Sequence, residues 1–275
     1  MNLHSTADVR GWCIENGFHP NKTLGQNFLT DANALAAIAD ASGAKPGDRV
    51  LEVGPGLGAL TETLLRRGVR VFAVEKDCAL AARLENAFPE FADSFEIVCG
   101  DALRMAEEGA LDGFGMCVSN LPYSCGTRIM LELAARPAPP DSFTVLVQTE
   151  VAERLAAGPG SKTRGFAGVR MQLDYTVEIV REVAPSCFWP KPAVGSSVVR
   201  MERKPGAASL PAAVRRTLVS MAKTAFNHRR KQLGTIFRGI VRSCARPEEL
   251  SNEEWLELAA ATAAAHPEPS SEVEK

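Results

Sequence analysis

The run Val50-Leu51-Glu52-Val53-Gly54-Pro55-Gly56-Leu57-Gly58-Ala59 is typical of a short buried strand, a glycine-rich turn and the start of a helix. Glycine has no Cβ, so the turn can adopt backbone angles closed to other residues and let a ligand approach the main chain. The spacing Gly54-x-Gly56-x-x-Ala59 also fits a dinucleotide site, so alone it indicates a nucleotide-like cofactor without identifying it.

Short apolar runs alternate with amphipathic stretches on both sides of this turn. We predict helices at 7–17 and 31–42, then strands at 50–53, 71–74, 95–98, 116–119 and 144–148, with helices at 60–66, 79–87, 127–134 and 151–155. This order predicts an α/β fold, a Rossmann-like parallel sheet with helices on both faces. Two further strands, 175–183 and 197–203, follow without a helix between them, which favours an antiparallel hairpin at the sheet edge.

Pro and Gly residues at 204–211 mark a domain boundary near 205–210. We predict a larger domain over 1–205, which contains the glycine-rich turn, and a small all-helical domain over 206–266. Its helices are predicted at 212–226, 229–241 and 252–264. The acidic segment 267–275 is predicted to be a disordered tail.

The net charge of −2 hides a strong asymmetry, because residues 203–247 contain eleven Lys or Arg and no Asp or Glu. A basic surface on a near-neutral protein favours a polyanionic partner at one face.

Seven dispersed cysteines without a C-x-x-C pair, and four scattered histidines, provide no zinc-site spacing and indicate reduced thiols. We found no signal-peptide pattern and no apolar run of about 20 residues, so we expect a soluble cytoplasmic protein with no membrane partner.

Two carboxylates follow successive predicted strands. Glu75 ends the second strand, where an acid can accept hydrogen bonds from ribose hydroxyls, and Asp101 follows the third, where it can accept from an adenine amino group. An acid after the second strand suits both nicotinamide and S-adenosylmethionine sites. The additional acid, together with Asn120-Leu121-Pro122-Tyr123 after the fourth strand, favours S-adenosylmethionine.

The tetrapeptide Asn120-Leu121-Pro122-Tyr123 suits a planar amino group as its ligand. The Asn120 side-chain oxygen and a backbone carbonyl held by Pro122 can each accept one hydrogen from an exocyclic amine. The Tyr123 ring offers a stacking face for the base that carries the amine. The sequence therefore predicts methyl transfer to the amino group of a base.

The chain resembles the ribosomal RNA adenine N6,N6-dimethyltransferases, most closely the bacterial small-subunit branch. The resemblance covers roughly residues 20 to 260, and its motifs are Thr23-Leu24-Gly25-Gln26-Asn27-Phe28-Leu29-Thr30-Asp31, the 51–58 turn, Asn120-Leu121-Pro122-Tyr123, 148–155, Phe188-Trp189-Pro190-Lys191-Pro192 and 225–231. It implies that residues 1–205 form a catalytic, S-adenosylmethionine-binding domain with the sheet of the methyltransferase type, and that residues 206–266 form an RNA-binding domain. It also implies dimethylation of N6 of two adjacent adenosines near the 3′ end of 16S rRNA, in the immature small ribosomal subunit, without a metal.

The resemblance also implies roles for single residues. Those that would bind the cofactor are Asn27, Leu29, Gly54, Glu75, Asp101 and Asn120; those that would form the catalytic pocket are Asn120, Leu121, Pro122, Tyr123 and Phe188, with Phe188 as a second stacking face. Phosphate contacts are expected from Arg215, Arg216, Lys223, Arg229, Arg230 and Lys231. The chain departs from the family pattern at 124–127 and 193–195. These departures leave the cofactor residues intact, but the resemblance does not define the details of the target pocket and of RNA docking.

Two alternatives stay open at this stage. One is a methylase acting on large-subunit rRNA or on DNA adenine. The other is a ribosome-assembly factor whose binding matters more than its methylation. A cytosine-C5 methyltransferase is disfavoured, because no Pro-Cys pair supplies the usual nucleophile. We expect a monomer.

Overall fold

The computed structural model describes residues 1–21 and 23–265, so the predicted disordered tail at 267–275 lies outside the described residues. The chain divides into two compact units. The first comprises Met1–Ala152 and Val177–Arg203, and the second comprises Glu153–Thr176 and the chain from Lys204 onward. The second unit thus includes a segment that precedes the predicted boundary near 205. The functional division into catalytic and RNA-binding domains stays a prediction.

The helices and strands alternate through most of the first unit. The strands are β1 Phe28–Leu29, β2 Arg49–Val53, β3 Arg70–Glu75, β4 Phe95–Cys99, β5 Met116–Asn120, β6 Ser142–Gln148, β7 Tyr175–Val183, β8 Phe188–Trp189 and β9 Ser196–Arg203. The α-helices are α1 Thr6–Glu15, α2 Ala32–Ser42, α3 Ala59–Leu65, α4 Cys78–Leu84, α5 Ala102–Glu107, α6 Gly126–Ala135, α7 Thr149–Ala156, α8 Phe166–Asp174, α9 Ala212–Asn227, α10 Leu233–Ile236 and α11 Asn252–Ala265.

Within the described residues, seven strands form one sheet in the order β4-β3-β2-β5-β6-β9-β7. Strands β2 to β6 pair in parallel, and β9 runs antiparallel to β6. The predicted Rossmann-like α/β fold is confirmed. From β2 the strand order runs through β3 to β4 on one side and through β5 to β6 on the other, so the order reverses next to β2. Sheets of this kind bind ligands in the crevice at the carboxyl ends of the strands where the order reverses.

The central strands are buried along almost their whole length, which explains why continuous apolar runs in the sequence predict them. In β2 and β3 every residue after the first is buried, as expected for parallel strands covered by helices on both faces. Helix α2 begins where the Asp31 carboxylate accepts from the Ala34 amide and ends at Gly43 with a positive φ of 65°. These local signals fix where the helix begins and ends.

The predicted helix at 229–241 is wrong for most of its length, because only Leu233–Ile236 is helical. The amides of Leu233 and Gly234 donate to the carbonyls of Ala245 and Ser243 across a chain reversal. A Cβ on Gly234 would lie 2.8 Å from the Ser243 carbonyl oxygen, so glycine permits this close approach. Two helices, α5 and α8, were not predicted.

The expectation of seven reduced thiols is contradicted at one pair. Cys78 and Cys99 form a disulfide with a Cα–Cα distance of 5.3 Å. Cys99 ends β4 directly beside Glu75 of β3, and Cys78 lies three residues beyond Glu75. Sheet pairing therefore brings together cysteines that are 21 positions apart.

The second unit has its own apolar core around the fully buried Trp255 of α11. Leu218, Met221 and Ala222 of α9 pack into this core, as does Val169 of α8. The buried Asp174 carboxylate accepts from both Arg170 and Arg215 within the same unit. No helix of the described chain combines the length and the apolar composition that a membrane crossing requires.

Candidate active site

The glycine-rich turn between β2 and α3 is tightly enclosed. Gly54, Gly56 and Gly58 all have positive φ, at 71°, 60° and 91°. A Cβ on Gly56 would lie 3.0 Å from the Phe28 ring, and one on Gly58 would lie 2.7 Å from Leu84. Glycine is therefore required here both by backbone conformation and by packing, and Gly54 and Gly56 line the cavity described below.

Glu75, at the carboxyl end of β3, is held in place by the turn itself. Its two carboxylate oxygens accept from the amides of Gly56 at 3.0 Å and Asp77 at 2.9 Å. The residue is 6% exposed, and burial raises the pKa of its carboxyl group. Each oxygen keeps a further lone pair for hydroxyl donors of a ligand.

Glu52 is a second buried acid behind the turn, and it was not among the predicted site residues. It is 1% exposed, and burial raises its pKa to about 8. The Thr61 hydroxyl donates to it at 2.7 Å, which counteracts part of that effect. The signal that could have identified it is an acid inside an otherwise apolar strand.

Asp101 follows β4 and has two functions in the structure. One carboxylate oxygen accepts from the Leu103 amide and caps α5, and the other accepts from the Lys76 ammonium group at 2.8 Å. This hydrogen bond with Lys76 lowers the pKa of Asp101. Lys76, for which the sequence predicted no role, therefore lies at the predicted adenine end of the site.

The predicted catalytic loop forms a short turn between β5 and α6. The Pro122 carbonyl accepts from the amides of Cys125 and Gly126, and the Leu121 amide donates to Leu146 of β6. Leu121 is buried, and a Cβ on Gly126 would lie 2.8 Å from its side chain. The loop is thus fixed by its own hydrogen bonds and by packing beneath it.

The segment before β1 lies against both the acid-bearing end of β3 and the catalytic loop. The Asn120 side-chain amide donates to the Asn27 carbonyl at 3.4 Å, and Gln26 donates to Asp77 at 2.9 Å. A Cβ on Gly25 would lie 3.3 Å from the Tyr123 amide nitrogen. The conformation of this segment is therefore coupled to both parts of the site.

These elements enclose one cavity of about 280 Å³ within the first unit. Its wall contains every predicted cofactor residue and four of the five predicted catalytic residues: Asn27, Leu29, Gly54, Glu75, Asp101, Asn120, Leu121, Pro122 and Tyr123. Phe188 lies elsewhere: it is 2% exposed, pairs with Leu29 between β8 and β1, and belongs to the main core. Its role as a stacking face stays a prediction.

The predicted phosphate-binding cations belong to the second unit and differ in exposure. Arg215 is half-buried and donates to Asp174 and to the Ala207 carbonyl. Arg229 donates to the Lys162 carbonyl at 2.8 Å. The exposed members of the set are Arg216, Lys223, Arg230 and Lys231, and the exposed Arg238 and Arg242 extend the same basic stretch.

Within the described residues, no group of three or more His, Cys, Asp or Glu side chains is arranged to hold a metal ion. The cavity does fit a nucleoside ligand, because the glycine turn in its wall lies beside two acids fixed at neighbouring strand ends.

Comparison with known proteins connects this geometry to a family. The family model described as ribosomal RNA adenine dimethylase matches residues 17–252. The chain is 38% identical to a ribosomal RNA small subunit methyltransferase A of Mycobacterium avium, over 86% of this chain and 76% of that protein. A protein of the same name from Bifidobacterium adolescentis is 37% identical, with 94% of each chain covered.

Solved structures share the fold. A dimethyladenosine transferase from Plasmodium falciparum superposes with a TM-score of 0.73 at 22% identity, over 83% of this chain and 94% of that one. The 23S rRNA methyltransferase ErmE superposes with a TM-score of 0.65 at 24% identity, over 85% and 98% of the two chains.

Proposed function

Because the chain belongs to the ribosomal RNA adenine dimethylase family, we propose that it dimethylates N6 of two adjacent adenosines near the 3′ end of 16S rRNA. The protein is an S-adenosylmethionine-dependent rRNA adenine dimethyltransferase. Its proposed substrate is the immature small ribosomal subunit, and the names of the relatives support the part of this proposal that concerns small-subunit ribosomal RNA. The observation that supports the proposal most is one cavity shared by the glycine turn, the two acids and Asn120-Leu121-Pro122-Tyr123.

The cofactor would lie along the carboxyl ends of β2, β3 and β4. S-adenosylmethionine, when bound, supplies an electrophilic methyl group on a positively charged sulfur. Gly54 would line its methionine end and Glu75 would accept from the ribose hydroxyls. Two backbone amides already fix the Glu75 carboxylate, so binding requires little reorganisation of this acid.

Asp101 would accept from the adenine amino group of the cofactor. The Leu103 amide already donates to one of its oxygens and Lys76 to the other, so the adenine amino group would share an oxygen with one of these donors or displace Lys76. Asn27 and Leu29 would close the site from the N-terminal side, in agreement with their positions in the cavity wall.

Asn120 and the Leu121 carbonyl would act on the target amine. The N6 lone pair of adenine is delocalised into the ring, which makes this nitrogen a poor nucleophile. Two acceptors that bind its hydrogens favour a tetrahedral nitrogen and direct the lone pair toward the methyl group. The proton leaves after attack, so catalysis depends on alignment and electrostatics and requires no dedicated base.

Tyr123 would stack on the target adenine, which must be unstacked from the RNA before it enters the cavity. The exposed cations of the second unit would contact phosphates, and binding would therefore weaken steeply with salt. We also propose that the protein acts in the cytoplasm as a monomer.

The test is methyl transfer to unmethylated small ribosomal subunits, followed by mapping of the modified adenosines. Two adjacent N6,N6-dimethyladenosines near the 3′ end of 16S rRNA are the expected result. Transfer to large-subunit RNA instead would favour the alternative substrate. Tight binding of small subunits without transfer, despite measurable binding of S-adenosylmethionine, would overturn the proposal and favour an assembly factor.

A further inference from the structure

The start of β9 lies at the same edge of the sheet as the catalytic loop. Strand β9 is antiparallel to β6, so it begins where β6 ends, and Ser196 pairs with Gln148. The parallel neighbour β5 ends at Asn120, opposite Leu146. A residue at the beginning of β9 can therefore reach the loop that follows β5, with β6 between them.

Ser196 uses this position to contact Tyr123. The two hydroxyl oxygens are 2.5 Å apart, although the residues are 73 positions apart in the sequence. Ser196 is completely buried, while Tyr123 lies in the cavity wall. The contact joins a fixed point of the sheet to the tip of the ring that faces the proposed target base.

The backbone around Ser196 is held independently of Tyr123. The Thr149 amide donates to the Gly195 carbonyl at 3.0 Å, and ladder pairing with β6 continues from Ser196 to Glu202. The serine hydroxyl is therefore a rigid anchor. A tyrosine ring turns about two side-chain bonds, and a hydrogen bond at the hydroxyl oxygen fixes the direction of the ring axis. Because the phenolic O–H prefers the plane of the ring, the same hydrogen bond also favours one rotation of the ring about that axis.

We propose that Ser196 is a positioning residue for methyl transfer, which holds the Tyr123 ring in the plane needed to stack on the target adenine. This inference depends on the proposed stacking role of Tyr123. It also applies to the second methylation, because the monomethylated base must enter again with its methyl group turned aside. A ring held in one plane keeps the reacting nitrogen aligned in both rounds.

Ser197 provides a matched control on the same strand. It is also completely buried and also hydrogen-bonded, to the Thr149 hydroxyl at 3.1 Å. Successive side chains of a strand point to opposite faces, so Ser197 lies on the other face of the sheet from Ser196. A general effect of removing a buried serine hydroxyl from β9 would be common to both positions.

The experiment compares Ser196→Ala, Ser196→Thr and Ser197→Ala in single-turnover methylation of unmethylated small subunits. We expect Ser196→Ala to slow transfer about three- to tenfold, as loss of one hydrogen bond predicts, with unchanged affinity for S-adenosylmethionine. The share of N6-monomethyladenosine should rise. Ser196→Thr keeps the hydroxyl and should restore most of the rate, and Ser197→Ala should stay within about twofold of wild type.

A double-mutant cycle with Tyr123→Phe makes the test specific. Both single substitutions remove the same hydrogen bond, so the double variant should be no slower than the slower single variant. The inference would be overturned if the fold losses in rate of the two single variants multiplied in the double variant, or if the Ser196→Ala protein were as fast as wild type.

Tyr123→Ala separates this inference from the proposed function. If Tyr123→Ala is inactive while Ser196→Ala is fully active, stacking stands and the positioning role fails. If Tyr123→Ala keeps full activity, the stacking role itself fails, and the positioning role fails with it.

Discussion

The cavity of the first unit and the basic surface of the second unit are built in opposite ways. In the cavity, hydrogen bonds to other protein groups hold the side chains of Glu75, Asp101 and Tyr123. Two of the acids there, Glu52 and Glu75, are almost fully buried. On the surface, Lys223, Arg230 and Lys231 are exposed and lie in a stretch without a single acid.

This contrast indicates how each part would contribute to the reaction. Chemistry on a poor nucleophile requires groups fixed before the substrate arrives, so a single change in the cavity should have a large effect. Phosphate binding adds up many similar and exposed charges, so a single change there should have a small effect that depends on salt. Substitutions in both regions, taken in order of decreasing effect, test the contrast.

Asn120→Ala should lower the rate of methyl transfer by about 10³-fold, because it removes the proposed acceptor for the target amine during attack. Affinity for small subunits should remain close to that of wild type, since the proposed phosphate contacts belong to the second unit. Single-turnover transfer and subunit binding measure the two effects separately. Asn16→Ala, at an exposed position after α1, is the control. A variant that still transfers methyl groups at a near-normal rate would remove Asn120 from the catalytic set.

Gly58→Ala should destabilise the fold by about 2–4 kcal/mol, because it combines a positive φ with overpacking. The new Cβ would lie 2.7 Å from Leu84 and 2.9 Å from Phe88, both of which are buried. Gly47→Ala is a matched control, since Gly47 has the same φ of 91° and its Cβ would meet nothing within 4 Å. Denaturant unfolding should show about 1 kcal/mol for the control. Equal losses at both positions would mean that packing around the turn contributes nothing.

Glu52→Gln should change how stability depends on pH. The pKa of this carboxyl is raised from 4.5 to about 8 in the folded protein, so its unfavourable effect on stability grows as pH rises from about 4.5 to about 8. Glutamine carries no charge, so the variant should gain stability relative to wild type over that window, by a few kcal/mol at most. Denaturant unfolding at pH 5 and pH 9 measures the gain. Glu96→Gln, at an exposed position on β4, should show no comparable trend. A constant difference between Glu52→Gln and wild type across pH would refute the assignment.

Lys223→Gln and Lys231→Gln should each weaken binding to small subunits only a few-fold, with little effect on the rate at saturation. Each lost phosphate contact should reduce the slope of log affinity against log salt by roughly 0.7–0.9. Binding titrations at several salt concentrations measure this slope. Lys45→Gln, an exposed lysine of the first unit, is the charge-matched control. An unchanged slope in both variants would place the RNA on a different surface.

Much of the first unit was predictable because its signals are local. Buried parallel strands appear as continuous apolar runs, so β2 to β6 were found within about two residues of their ends. Helix α5 was missed although Asp101 caps it. From the sequence, that acid was interpreted as a ligand for adenine, whereas in the structure the same carboxylate also begins a helix.

The predictions are wrong where contacts between segments distant in the sequence determine the structure. The predicted helix at 229–241 is interrupted because the amides of Leu233 and Gly234 bond to the segment around 243–245. The disulfide between Cys78 and Cys99 depends on the pairing of β3 with β4. Neither contact leaves a periodic pattern in the sequence, so pattern-based reasoning could not find them.

The amino-acid sequence by itself predicts the candidate site residues of this protein and the strand ends that carry them. Gly54, Glu75, Asp101 and Asn120 were placed after successive strands, because strand identity follows from local apolar pattern. Folding in three dimensions was needed to show that these ends surround one cavity, that Phe188 lies in the core outside it, and that Tyr123 meets Ser196. The reason is that the register of strand pairing, over long sequence separations, fixes which side chains meet. The sequence of one segment alone does not specify the segment with which it pairs.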